Sequence, residues 1–210
     1  MERRDELAND INRAIQTTKR EANPKTNGKL WALFGALGPL IAYVCIGISI
    51  SLSPWFSWSS NALSDLGHAV HSSVAPIFNF GLLLSGFLIA IFTATSFWKH
   101  AKYTSPFLLL TAFALQLVAV FDEVYRGLHG TVSIDFFVLL ILSCLIYAAE
   151  KRSILGATSF VIGLGVWVLY GAGLIQAGIA VPEIISVAAA TSWVVFSSLK
   201  IYYNLNLATK

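Results

Sequence analysis

Six runs of about 20 apolar residues, separated by short polar connections, constrain this chain more than any other feature. They cover residues 30–52, 74–98, 106–125, 133–149, 154–174 and 182–200. A helix rises about 1.5 Å per residue and a bilayer core is about 30 Å thick, so each run has the length of a membrane span. In lipid, backbone N–H and C=O groups must be satisfied within the chain, and a helix does this where an isolated strand cannot. The predicted fold is therefore all-α, a polytopic membrane protein with a six-transmembrane-helix bundle. Composition agrees: 56% of the chain is hydrophobic and 12% charged, about half the charged share of an ordinary globular domain. Of the 25 charged residues, twelve fall in residues 1–29. The remainder has too little polar side chain to cover a water-facing surface.

The basic residues give a direction to this bundle. With six spans both termini share a side, and that side collects Arg3, Arg4, Arg13, Lys19, Arg20, Lys25 and Lys29. Lys99, Lys102, Lys151, Arg152, Lys200 and Lys210 join them, leaving Arg126 alone on the other side. Cytoplasmic loops carry the excess of Lys and Arg, so both termini are expected in the cytoplasm of a multi-pass cell-membrane protein. Trp55, Phe56 and Trp58 suit the outer interface, and Trp98, Tyr103, Tyr202 and Tyr203 the inner one. The net charge of +3 is too small to point to a nucleic-acid partner. Membrane lipids are the expected one.

Three parts follow: a charged tail over 1–29, a six-span bundle over 30–203 and a C-terminal tail over 204–210. No apolar core follows Met1 for two dozen residues, so the first hydrophobic helix is expected to act as an uncleaved insertion signal. In the tail, Leu7, Ile11, Ala14 and Ile15 recur at helical spacing among charges. This describes either a short amphipathic helix on the membrane surface or a topogenic tail without fixed structure. Asn23-Pro24 and Asn27-Gly28 are expected to break it before the first span, and Gly38-Pro39 to kink that span. Cys45 and Cys144 lie inside apolar runs and read as small apolar fillers.

Small residues indicate where helices approach. Gly81 and Ser85 form a small-xxx-small pair that Gly86 widens, and the fifth span carries Gly156, Gly163, Gly165, Gly171 and Gly173. Asn79 and Gln116 are expected to bond across helices. No acidic residue or histidine lies at the centre of a span, which counts against a proton-driven transporter.

Chemistry is concentrated on the outer side. The first outer connection carries Asn61, Ser64, Asp65, His68 and His71; the second carries Asp122, Glu123, Arg126 and His129, with Asp135 beyond; the third holds Glu183. Continued helix through the third span would put Asp122, Arg126 and His129 on one face, with Asp122 paired to Arg126. A helical turn would bring His68 and His71 to one side. Imidazoles and carboxylates near water are zinc ligands, so His68, Asp122 and His129 are candidate metal ligands. Asp65, His68, Asp122 and His129 are the candidate catalytic groups. Asn61, Ser64, His71, Asn79, Glu123 and Arg126 are the candidate binding groups. Such residues at span ends also serve as caps and interface anchors, and no HExxH, nucleophile elbow or phosphate loop is present.

One stretch resembles a known family. Gly38-Pro39, then Ser53-Pro54-Trp55-Phe56, then Asn61-Ala62-Leu63-Ser64-Asp65-Leu66-Gly67, then Phe78-Asn79-Phe80-Gly81, resembles the microbial membrane family catalogued as domain of unknown function 998. The resemblance covers most of residues 30–200 and implies a six-helix bundle without an established activity. A looser likeness is to the hydrolase superfamily of alkaline ceramidases and adiponectin receptors, which hold zinc with a Ser-x-x-x-His pair, an Asp and a later His-x-x-x-His. Ser64 and His68 match the first element and Asp122 the Asp. The final pair has no counterpart, because no histidine follows His129.

The sequence thus leaves three functions: a membrane protein that binds lipid or a membrane partner through an outer-facing polar cavity, a metal-dependent hydrolase or transferase acting on lipid, and a small-solute carrier.

Overall fold

A computed structural model of the chain describes residues 24–207. The tail with Leu7, Ile11, Ala14 and Ile15 lies outside them. Among the described residues there are six long helices: α1 (Pro24–Ser51), α2 (Ala75–Phe92, continued by a π-helical turn over Thr93–Phe97), α3 (Thr104–Val120), α4 (Gly127–Lys151), α5 (Ile154–Gly171) and α6 (Ala180–Leu207). No strand occurs among the described residues. Five helices are long and apolar enough to cross a bilayer: Leu30–Ser51, Ala75–Phe97, Gly127–Lys151, Ile154–Gly171 and Ala180–Leu205. The other, α3, is apolar throughout but has 17 residues, about 26 Å of rise.

Several expected boundaries move. Helix α1 starts at Pro24 and runs unbroken through Asn27, Gly28 and Pro39, so neither dipeptide ends it. Proline is well suited to a first helical turn, where its missing N–H has no partner to lose. At the other end α6 continues to Leu207, so the helical body exceeds 30–203 at both ends. Helix α3 stops at Val120 instead of reaching residue 125. Its continuation is replaced by a 3-10 turn, Glu123–Tyr125, whose N-cap is Asp122 in an extended conformation. The α4–α5 corner is tight because Arg152 is left-handed and Ser153 caps α5, its hydroxyl accepting the Gly156 N–H at 3.1 Å. Glu150, in the last turn of α4, accepts the Tyr103 and Thr104 N–H groups at 3.0 and 2.8 Å and so caps α3 from a neighbouring helix.

Each helix packs against its neighbours in sequence, and α6 returns to α1, so the six form a closed ring. The α4–α5 seam is the sparsest join. Glycines decide the tightest seams. A Cβ at Gly81 would fall on the Cβ of Cys45, and one at Gly38 would come within 2.9 Å of Ile89, so α1 and α2 meet almost backbone to backbone. Gly86 turns to α3 instead, where a Cβ would lie 2.6 Å from the Ala112 carbonyl. The α5 glycines do less than expected. Gly156 packs on Tyr147 and Ala148, but Gly165, Gly171 and Gly173 face open space, because α5 is the least embraced helix; Gly173 (φ +72°) serves the turn after it. Gln116 bonds the Ala112 carbonyl of its own helix and Asn79 bonds a loop carbonyl, so neither amide bridges helices.

The ring is plugged at both ends. At one end Trp193, fully buried, stacks on Tyr147 at 4.3 Å and meets Phe97 at 5.9 Å. Its indole N–H donates to the Cys144 sulfur at 3.3 Å, and Tyr147 bonds the Ser197 hydroxyl at 2.7 Å. At the other end the 52–74 connection folds inward, burying Leu63 and Leu66 against Ile46, Phe78 and Leu82. That connection is tied to the α5–α6 loop by Gly178 N–H to Trp58 and Ala180 N–H to Asn61, at 2.9 and 3.0 Å. Between the plugs lies an apolar cavity of about 100 Å³, lined by Tyr43, Ile46, Phe78, Leu115, Phe136 and Val187 among others.

Candidate functional site

The polar residues of the 52–74 connection, the α3–α4 corner and the start of α6 gather at one end of the ring, but in two clusters. The first is a small cleft of about 310 Å³ lined by Trp55, Asn61, Asp65, His68 and His71. Asp65 accepts the Asn61 amide at 2.7 Å and the Ala62 N–H at 3.0 Å, and Asn61 accepts the Ser57 N–H at 2.9 Å. These bonds knit the loop to itself. The rings of His68 and His71 lie 4.3 Å apart. The Nδ1 of His68 accepts the N–H groups of Val70 and His71, each at 3.3 Å, so that nitrogen is occupied. Asn79 donates to the Gly67 carbonyl at 2.8 Å, and a Cβ at Gly67 would meet its amide oxygen at 2.5 Å. Asn79 therefore holds the loop rather than a ligand.

The second cluster is larger. A cleft of about 580 Å³ opens beside the α4–α5 seam. Its polar end is formed by Ser64, Glu123, Arg126, His129, Ser133 and Glu183; Phe137, Ile141, Leu164 and Trp167 line the rest. Ser64, Ser133, Phe137 and Glu183 also border the central cavity, so the two spaces adjoin at these side chains.

Hydrogen bonds organise the polar end into one chain. Ser64 donates to Glu123 Oε1 at 2.6 Å. That oxygen lies 3.4 Å from His129 Nε2, and Nε2 lies 3.2 Å from the Ser133 hydroxyl. The other ring nitrogen, Nδ1, is 2.7 Å from the Phe121 carbonyl. A carbonyl only accepts, so Nδ1 carries a proton, and in the neutral ring the lone pair is at Nε2. Glu183, buried in the first turn of α6, accepts the Leu63 N–H at 2.7 Å. Arg126 stands at the rim, exposed, with a left-handed backbone (φ 44°) and, among the described residues, no ion pair within 4.0 Å.

Asp122 does not join either cluster. It is buried, one oxygen accepting the Val124 N–H at 3.0 Å and the other the Ala69 N–H at 3.1 Å, and so it pins the first connection to the α3–α4 corner. Because the helix ends before it, Asp122, Arg126 and His129 share no helical face, and Asp122 does not pair with Arg126. Asp135 is exposed in a groove between α3 and α4, away from the cleft.

The proposed metal ligands are thereby dispersed. Asp122 is bonded to two amides, His68 to its own turn and His129 to Phe121 and Ser133. Among the described residues, no group of three His, Cys, Asp or Glu side chains is placed to hold a metal ion. This dispersed donor set does not fit zinc.

Trp167 carried no signal in the sequence, since a tryptophan in an apolar run is ordinary, whereas Ser133 was marked only by standing four residues after His129, one helical turn along α4. Glu183 did carry one: a carboxylate directly after Pro182, at the start of an apolar run, is placed for burial in a first helical turn.

The matching family model, described as "Protein of unknown function (DUF998)", covers residues 36–200. The chain belongs to the DUF998 family. The DUF998 match contains every residue of both clusters and all of the ring except the start of α1 and the end of α6. With its apolar helices it makes the chain an integral membrane protein of unknown activity. No curated protein and no solved structure matches the chain.

Proposed function

We propose that this DUF998 protein spans the cell membrane six times, with both termini in the cytoplasm, and holds a lipid in the cleft beside the α4–α5 seam. The 17 residues of α3 are at the short end of what crosses a bilayer, and its antiparallel place between α2 and α4 argues for a span. The distribution of Lys and Arg supports the orientation. The cleft then faces the outer leaflet.

One observation carries the lipid reading: the cleft is amphipathic along its length. Its α4 wall runs from His129 to Ile141, about 18 Å at 1.5 Å per residue, beginning beside the Arg126 guanidinium at the rim and ending among Ile141, Leu164 and Trp167. A phosphate would pair with Arg126 at the rim, where the charge has no ion-pair partner among the described residues. An acyl chain would cover the apolar walls of the least closed seam in the ring. Trp167, whose ring lines the cleft, also has a buried indole N–H without a hydrogen-bond partner.

Native mass spectrometry of protein purified in mild detergent tests this reading. One phospholipid should remain bound per chain. Leu164→Trp, which fills the cleft, should remove it, whereas Val168→Trp on the same helix, exposed and outside the cleft, should not. Equal retention in both variants, or none in the wild type, would reject the proposal.

A further inference from the structure

We propose that Ser133 and His129 form a nucleophile–base pair that transfers an acyl group from an ester-linked lipid. The inference rests on the lipid reading of the cleft.

Ser133 differs from other helix hydroxyls of the described residues in having an imidazole as its partner. Thr93, Ser105, Thr111 and Ser159 each donate to the carbonyl four residues back, at 2.6 to 2.8 Å, the ordinary way a hydroxyl is satisfied in an apolar helix. The Ser133 hydroxyl lies instead against His129 Nε2 at 3.2 Å. That nitrogen is left basic by the Nδ1–H donation to Phe121 at 2.7 Å. A base within reach of a hydroxyl, itself oriented by a third group, is the arrangement that activates a serine. Glu123 Oε1, 3.4 Å from Nε2 and held by Ser64, is placed to stabilise the imidazolium that forms when the serine proton is taken. It acts as a positioning residue. The depth is also suitable. Ser133 lies six residues into α4, about 9 Å below its start, near the interface between headgroups and hydrocarbon where glycerolipid ester groups reside. It lines the cleft on one side and the central cavity on the other.

The step balances without metal or redox partner. The Ser133 oxygen bonds to the acyl carbon while its proton passes to His129 Nε2. The ester C–O bond then breaks, and the leaving alcohol takes that proton. Water or a second alcohol, deprotonated by His129, attacks the acyl-serine and regenerates the hydroxyl.

The test is covalent labelling of the full-length protein in phospholipid nanodiscs with an alkyl fluorophosphonate, followed by peptide mass spectrometry. The expected adduct is on Ser133. Ser133→Ala should abolish labelling at unchanged yield and monodispersity, and His129→Gln should slow it by about 100-fold, the usual scale of general-base catalysis. Absence of an adduct on Ser133 in folded wild-type protein, or labelling that persists in Ser133→Ala, would overturn the inference. Lipid retention in Ser133→Ala separates the two proposals. A variant that keeps its lipid while wild type takes no label rejects the acyl-transfer step alone, whereas loss of lipid from wild type removes the cleft reading as well.

Discussion

Asp122 shows how a carboxylate can be essential to a site without entering it. Its two oxygens hold one amide from each of two loops, and charge-assisted bonds of this kind contribute about 1.5–3 kcal/mol each. Asp122→Ala should therefore lower stability by about 2–4 kcal/mol, read as a lower thermal midpoint in detergent. Asp65→Ala should cost less, because its partners are in its own, more exposed loop. On the opposite side of the ring His100 is the informative titrating group. Burial, reinforced by Lys151 and Lys200, pushes its pKa down from about 6.5 to about 4, and its Nε2 is buried without a partner. The folded state thus binds fewer protons than the unfolded chain between those values. Stability should rise with pH from about 4 to about 6.5 and be fully present above it. Thermal midpoints of wild type and His100→Gln across that range check this; the variant should lose part of the slope.

At the level of elements, the α1–α2 seam is set by a single pair. Gly81 and Cys45 leave no room for a Cβ on the glycine, so Gly81→Ala must push the helices apart, at about 1–3 kcal/mol for overpacking of this kind. Cys45→Gly in the same chain should restore much of the loss, and a double-mutant cycle measures the coupling. The sequence marked Gly81 as a contact residue, because small residues four apart are visible in the chain. It could not say that Gly86 turns to α3 or that the α5 glycines are mostly idle, since the neighbour facing each glycine depends on how the ring closes. The early end of α3 was likewise hidden. Apolar residues continue to Phe121, and the chain turns where Asp122 caps the local Val124 N–H and accepts the Ala69 N–H of a distant segment.

For the whole molecule the orientation is the property most open to test. With Cys45 and Cys144 replaced by Ala, Val70→Cys, 71% exposed in the first connection, should react in intact cells with an impermeant maleimide. Lys102→Cys should react only after permeabilisation. The reverse pattern would invert the bundle, and reaction of both in intact cells would break the six-span count.

Much of this architecture follows from composition along the chain. Helical segments, their approximate ends, their immersion in lipid and the family likeness are local properties, because length, hydropathy and charge act on each segment separately. The end of the bundle where polar groups gather was legible for the same reason. Their division into two clusters was not. Asp122 and Asn79 became loop fasteners, Glu183 a buried acceptor, and Ser133 a partner of His129 facing an amphipathic cleft. The first three roles depend on which backbone amides and carbonyls of distant segments come within hydrogen-bond reach, and closure of the six helices into a ring decides that. Ser133 and His129 already stand four residues apart on α4, and there closure decides only the cleft they face.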